Sequence, residues 1–137
     1  MRLLLDPRLR RAMFLLWWLG WLIILYLCLE PQPEMPLDLT DKSWHFLGYL
    51  AMSAGIASFC HERRCVLGWT ALAVLMGGLI EIAQYFVPGR SSEWGDLLAD
   101  AGGAVTGAAV ALLWLRLVVA PLRRQAAAKM AQPAGSR

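Results

Sequence analysis

Charged side chains are scarce in this sequence. Asp, Glu, Lys and Arg make up 17% of the 137 residues, against about 25% in ordinary soluble domains. Hydrophobic residues make up 58%. A chain of this length forms one domain, and its interior would be too small to bury that much apolar surface. The composition therefore argues against a soluble globular protein and predicts an integral membrane protein.

A basic stripe interleaved with aromatic residues is also lacking, although the formal net charge is +3. The basic residues stand instead in short blocks beside apolar runs, which is the pattern that orients membrane helices. We therefore expect no nucleic-acid partner.

Cysteine is rare: Cys28, Cys60 and Cys65 are the only three. Their number is odd, and their spacing is neither that of a zinc site nor that of a disulfide framework. We therefore expect each of them to be a small apolar packing residue.

Long apolar runs predict four transmembrane helices, because a helix needs about 20 residues to cross a hydrocarbon core ~30 Å thick. No small-x-small cleavage site follows the first run, so we expect it to be an uncleaved helix. Residues 12–120 then form the transmembrane domain, residues 1–11 precede it, and residues 121–137 form a tail that we expect to be disordered. The runs cover residues 12–29, 44–60, 66–87 and 95–120.

The distribution of basic residues predicts the orientation. Eleven of the thirteen Lys and Arg residues lie before the first run, between the second and third, or at and after the end of the fourth. By the positive-inside rule, this predicts an antiparallel bundle in a bacterial inner (cytoplasmic) membrane, with both termini cytoplasmic. The outer side has only Lys42 and Arg90.

Polar side chains occupy the outer ends of the second, third and fourth runs, with a spacing that places those of each helix on one face. A charge at a helix centre costs about 2.5–3.5 kcal/mol, so we expect these groups to face one another or a water-filled cleft. The predicted binding site comprises Asp41, Lys42, His45, Tyr49, Glu81, Gln84, Arg90, Asp96 and Asp100.

Small residues suggest how the helices meet. Gly103 and Gly107 form a Gly-x-x-x-Gly step that continues the face of Asp100, and Gly77 precedes Glu81 by one turn. We expect the third and fourth helices to approach along these glycines and to bring Glu81 towards Asp100. The alternative is that the polar groups only fix helix register, but their chemical variety favours a functional site.

Three blocks of residues, in this order, resemble the VanZ-like family of small membrane proteins over about residues 29–113. The blocks are Asp41-Lys42-x-x-His45-Phe46-x-x-Tyr49, Glu81-x-x-Gln84-x-x-x-Pro88-Gly89-Arg90, and Asp96-Leu97-Leu98-Ala99-Asp100. The family usually has Asn where this chain has Asp100, so an acid replaces an amide donor. The resemblance implies an envelope protein; its namesake is associated with low-level teicoplanin resistance, which specifies no reaction to carry over.

Three functions fit this pattern. The first is recognition of a polar or lipid-linked envelope component, with Lys42 and Arg90 holding phosphate. The alternative is an intramembrane hydrolase or transferase acting on a lipid headgroup, with His45 as general acid or base and Glu81 or Asp96 as its partner. A second alternative is a proton-coupled carrier, which four helices would form only as a dimer.

The sequence leaves open whether the protein is an enzyme, because no Ser or Cys nucleophile stands beside a base in a recognisable motif. His45, Glu81, Asp96 and Asp100 could supply metal ligands, but a single His without a His-x-x-x-His step argues against a metal site. We therefore expect no metal and no cofactor. The expected partners are membrane lipids, including a lipid-linked envelope precursor.

Overall fold

The computed structural model describes residues 6–30, 39–89 and 93–131. Every regular element in this part is helical, which confirms the predicted all-α class. The elements are α1 (Pro7–Leu29), α2 (Leu39–Gly55), a 3-10 turn (Ile56–Ser58), α3 (Arg63–Gln84), α4 (Trp94–Trp114), a π-helical turn (Leu115–Val119) and α5 (Ala120–Ala131).

Three helical stretches in the described residues are long and apolar enough to cross a membrane: Pro7–Leu29, Arg63–Gln84 and the continuous stretch Trp94–Ala131. With 17 residues, α2 is shorter than the ~20 that a full crossing usually takes, although the 3-10 turn extends it by three residues. The multi-pass membrane character is thus supported, whereas the count of four spans and the cytoplasmic termini stay predictions.

The first helix begins five residues before the apolar run because the sequence supplies a strong start signal. Asp6 caps it by accepting a hydrogen bond from the backbone N–H of Arg8 at 2.8 Å, and Pro7 occupies the first helical position, where its missing N–H costs nothing. Arg8, Arg10 and Arg11 are therefore helical.

Aromatic rings join α1 to the 3-10 turn region and to α3. Phe14, Trp17, Trp18, Phe59 and Trp69 contact one another edge to face, with centroids 5.0–6.3 Å apart. The indole N–H of Trp17 also donates to the Met52 carbonyl at 2.8 Å. The tryptophans in the middle of α1 thus serve helix packing.

Two glycines allow α2 to lie directly against α4. A Cβ at Gly103 would collide with the backbone carbonyl of Phe46, and a Cβ at Gly107 with that of Leu50. The predicted face of α4 is right, but its partner is α2 and not α3. The prediction failed because the spacing of residues on one helix does not identify the helix that packs against it.

Cys60 and Cys65 form a disulfide, with Cα atoms 5.8 Å apart, contrary to the expectation of separate packing residues. The chain reverses between the 3-10 turn and α3, which brings the two residues within bridging range. Cys28 is buried in the core as expected. Disulfides are typical of oxidising compartments, so this pair indicates that this end of the bundle faces the outer side. The neighbouring Arg63 and Arg64 indicate the cytoplasmic side.

The fourth helix does not end at Pro121. The π-helical turn Leu115–Val119 precedes this proline, and α5 continues to Ala131. Local π geometry is one way in which a helix accommodates the ring and missing N–H of proline, and the Ala126-Ala127-Ala128 run favours helix. The tail that we expected to be disordered is therefore helical as far as Ala131; residues 132–137 lie outside the described part.

Reporter fusions test the orientation. Fusions after Gln32 and within residues 89–95 should report the outer compartment, and fusions after Glu62 and at the C-terminus should report the cytoplasm, because basic residues are retained there. A C-terminus on the outer side would contradict an even number of spans. An outer location after Glu62 would instead agree with the disulfide.

Matched glycine substitutions test the α2–α4 contact. Gly107→Ala places a methyl group against backbone atoms of α2 and should destabilise the fold by about 1–3 kcal/mol. Gly78→Ala is the control, because a Cβ there meets nothing within 4 Å and alanine is the better helix former. Thermal unfolding in detergent measures both; equal melting temperatures would contradict the packing.

Candidate functional site

Polar side chains from three helices gather at one end of the bundle, where α2 and α4 begin and α3 ends. Asp100 is 0% exposed, Tyr49 1% and Glu81 5%, and His45 and Asp96 are also buried. In an apolar bundle, such groups are stable only when they contact one another, an ion or water. We refer to His45, Tyr49, Glu81, Asp96 and Asp100 as the polar cluster.

His45 and Asp100 make the most direct contact within the polar cluster. Nδ1 of His45 lies 3.0 Å from Oδ1 of Asp100, although they are 55 positions apart in the chain. The close approach of α2 and α4 at Gly103, one turn after Asp100, sets this distance. Asp100 is therefore the hydrogen-bond partner of His45, a role that the sequence assigned to Glu81 or Asp96.

Glu81 joins α3 to the start of α4. Its Oε2 accepts a hydrogen bond from the backbone N–H of Glu93 at 3.0 Å, and Glu93 is the N-cap residue of α4. Ligand atoms of Glu81, His45 and Asp100 all lie within 4.8 Å of one another. The structure thus brings Glu81 close to Asp100, as expected.

A glycine on α3 makes room for two oxygens of the polar cluster. A Cβ at Gly77 would lie 2.9 Å from Oδ2 of Asp100 and 3.1 Å from the hydroxyl of Tyr49. Neither oxygen has a hydrogen-bond partner of acceptable geometry among the described residues. The Tyr49 ring packs edge to face on Trp21 of α1, with centroids 5.3 Å apart, so the phenol is held rigidly beside Asp100.

Lys42 is engaged by two carboxylates. Its Nζ lies 2.7 Å from Oε2 of Glu93 and 3.2 Å from Oδ1 of Asp96. The sequence had indicated a phosphate-binding role for this lysine, and these contacts compete with it. Glu93 is a site residue that we did not predict; its three-residue spacing from Asp96, opposite a lone lysine, is the signal that could have identified it.

Gln84 lies apart from the polar cluster and anchors α1. Its Nε2 donates to the carbonyl of Cys28 at 3.0 Å, so one polar contact reinforces the otherwise apolar packing of α1. Two other predicted site residues cannot be placed: Arg90 lies outside the described residues, and so does the side chain of Asp41.

Carboxylates outnumber cations among the described residues of this region. Within the described part of the chain, the carboxylates are Glu81, Glu93, Asp96 and Asp100, and Lys42 is the one permanent cation among the groups that contact them. An excess of carboxylates in a low-dielectric region attracts cations and hydrogen-bond donors. The electrostatics therefore favour a ligand that carries one or the other.

An apolar groove leads to the carboxylates from the surface of the bundle. It has a volume of about 530 Å³ and runs between α3 and α4, where large apolar side chains such as Leu79 and Ile82 are exposed. In a membrane, such a surface faces lipid chains. The groove is lined by Val74, Leu75, Gly78, Leu79, Glu81, Ile82, Glu93, Trp94 and Leu97.

Comparison with known proteins identifies the family. No curated protein and no solved structure matches the chain. A family model described as VanZ/LLP1 matches residues 12–116. This range covers most of the chain and includes the residues of all three sequence blocks, together with most of α1 and all of α4. The chain is therefore a membrane protein that belongs to the VanZ/LLP1 family.

Proposed function

We propose that this protein recognises a membrane lipid or a lipid-linked envelope component. Its polar headgroup would lie at the polar cluster and its apolar chain in the groove between α3 and α4. The observation that carries this proposal is the composition of the groove, which is apolar along its length and ends at two carboxylates, Glu81 and Glu93. An apolar pocket with a few convergent polar groups is the usual form of a ligand site.

The carboxylates set the class of headgroup. Glu81, Glu93 and Asp96 accept hydrogen bonds or attract cations, so hydroxyl and amine donors fit the site. Among the described residues, Lys42 is the cation beside these carboxylates, and it is already ion-paired with two of them, which competes with phosphate binding. We therefore expect a headgroup rich in donors, with any phosphate placed away from the carboxylates or neutralised by a cation.

The hydrogen bond between His45 and Asp100 favours a second candidate function, that of a hydrolase or transferase acting on the same ligand. With Nδ1 donating to Asp100, Nε2 is the basic nitrogen of the ring and can take a proton from water or from a hydroxyl group. Asp100 would then fix the ring and stabilise the imidazolium. The carrier alternative has no comparable support within the described residues.

Blocking the groove tests the recognition proposal. Gly78→Phe should fill the groove and lower the amount of bound lipid several-fold, because Gly78 lines it and has open space around its Cβ position. Gly68→Phe is the matched control: Gly68 also lies on α3 with open space but outside the groove. Mass spectrometry of lipid extracted after gentle purification gives the ratio to protein. Equal lipid content in both variants would contradict the proposal, and breakdown of the lipid over time would identify an enzyme.

Glu81→Gln separates a functional role from a purely structural one. Glutamine keeps the volume of the side chain and can still accept the Glu93 N–H bond, so the melting temperature should change little. Lipid retention and complementation of a deletion strain should nevertheless fall about tenfold or more, because the negative charge is lost. Glu62→Gln, at the exposed opposite end of α3, is the control. Full complementation by Glu81→Gln would show that Glu81 only fixes helix register.

A further inference from the structure

One imidazole and two carboxylates converge in the polar cluster from three different helices. His45 comes from α2, Glu81 from α3 and Asp100 from α4, and their ligand atoms lie within 4.8 Å of one another. Because each side chain comes from a different helix, their convergence depends on the packing of α2, α3 and α4. Two acids held this close in an apolar interior are stable when one of them binds a proton or when a positive charge lies nearby.

A buried oxygen beside this group points to a ligand. Asp100 is 0% exposed, and its Oδ2 has no hydrogen-bond partner of acceptable geometry among the described residues. The same holds for the hydroxyl of Tyr49, which adjoins it across Gly77. The Tyr49 hydroxyl interacts with Asp100, but not in the geometry of a good hydrogen bond. A buried carboxylate oxygen without a well-formed hydrogen bond is costly, and a bound cation would satisfy it.

We infer that His45, Glu81 and Asp100 bind one divalent transition-metal ion, for which zinc is the best match. Imidazole nitrogen suits zinc, and carboxylate oxygen completes a common zinc ligand set. Magnesium and calcium prefer oxygen ligands alone, so the histidine argues against them. Three protein ligands leave the fourth tetrahedral position for water or a ligand oxygen.

The distances fit such an ion after an adjustment. His45 Nδ1 and Asp100 Oδ1 are 3.0 Å apart, close to the ~3.3 Å edge of a tetrahedron whose bonds are ~2.0 Å long. The ion would replace the proton that these two atoms share in the metal-free protein. The ligand atom of Glu81 lies within 4.8 Å of both, so its carboxylate would have to approach them by up to about 1.5 Å. The hydrogen bond from Glu93 to Oε2 of Glu81 is the type of contact that orients a metal-binding carboxylate.

The ion would also change the selectivity of the site, and in this respect the inference rests on the proposed function. Without it, the carboxylates repel phosphate. With it, the open coordination position attracts an anionic oxygen, so that an acid-rich site can hold the phosphate of a lipid-linked headgroup. The sequence argued against a metal site because it has a single histidine in this region. The expected motif places two histidines on one helix, whereas here each of three helices gives one ligand.

Metal content and affinity test this inference on the full-length protein in detergent. Protein purified without chelator should contain about one zinc per chain by mass spectrometry of the metal. After stripping with EDTA, titration with Zn²⁺ alone should show one saturable site, and Asp100→Asn and Glu81→Gln should each weaken it at least tenfold. Glu62→Gln should bind as tightly as the unchanged protein. Zinc bound equally by all four proteins, or by none, would overturn the inference.

Cobalt substitution gives a readout that needs no variant. Co²⁺ added to the stripped protein should show the visible d–d absorption of a low-coordinate site, and Zn²⁺ should displace it; a spectrum like that of aqueous Co²⁺ would overturn the inference. Lipid content is measured in parallel on loaded and stripped protein. Lipid retained without metal binding refutes only the metal site, whereas metal bound without lipid refutes the proposed function.

Discussion

The contact between α2 and α4 is the constraint on which the rest of the site depends. Gly103 and Gly107 allow the two backbones to touch, and a larger residue at either position would separate them. Because His45 lies on one of these helices and Asp100 on the other, their 3.0 Å contact exists only at this helix separation. Gly103 and Gly107 therefore determine the distance between the side chains of His45 and Asp100.

α3 contributes in a different way. It meets the pair at Gly77, where the absence of a Cβ leaves space for Asp100 and Tyr49, and one turn later it supplies Glu81. Glu81 in turn holds the N-terminus of α4 through the backbone of Glu93. Glu81 thus both holds helices together and places a carboxylate in the cluster. A substitution that keeps the side-chain volume but removes the charge can distinguish these two roles.

The sequence predicts the helical class and the residues of the cluster well, because apolar runs and helical spacing are local properties. It predicts the partners poorly. Three of these partners depend on the positions of helices relative to one another. They are Asp100 for His45, Glu93 for the ion pair with Lys42, and α2 for Gly103. Spacing along a single helix does not contain that information. The helical tail was missed because its alanine-rich segment favours helix beyond the expected end at residue 120. The disulfide was missed because the chain reversal after Phe59, which brings Cys60 and Cys65 together, is not visible in their number or spacing.

The continuous helix from Trp94 to Ala131 has 38 residues and is about 57 Å long at ~1.5 Å per residue. A hydrocarbon core ~30 Å thick accommodates roughly half of it. In a spanning orientation, the remainder, which carries Arg123, Arg124 and Lys129, would extend beyond the hydrocarbon core as a rigid basic rod. Near an anionic leaflet, each such cation contributes about 1 kcal/mol of attraction, so the cations nearest the headgroups would fix the depth of the helix that carries Asp100.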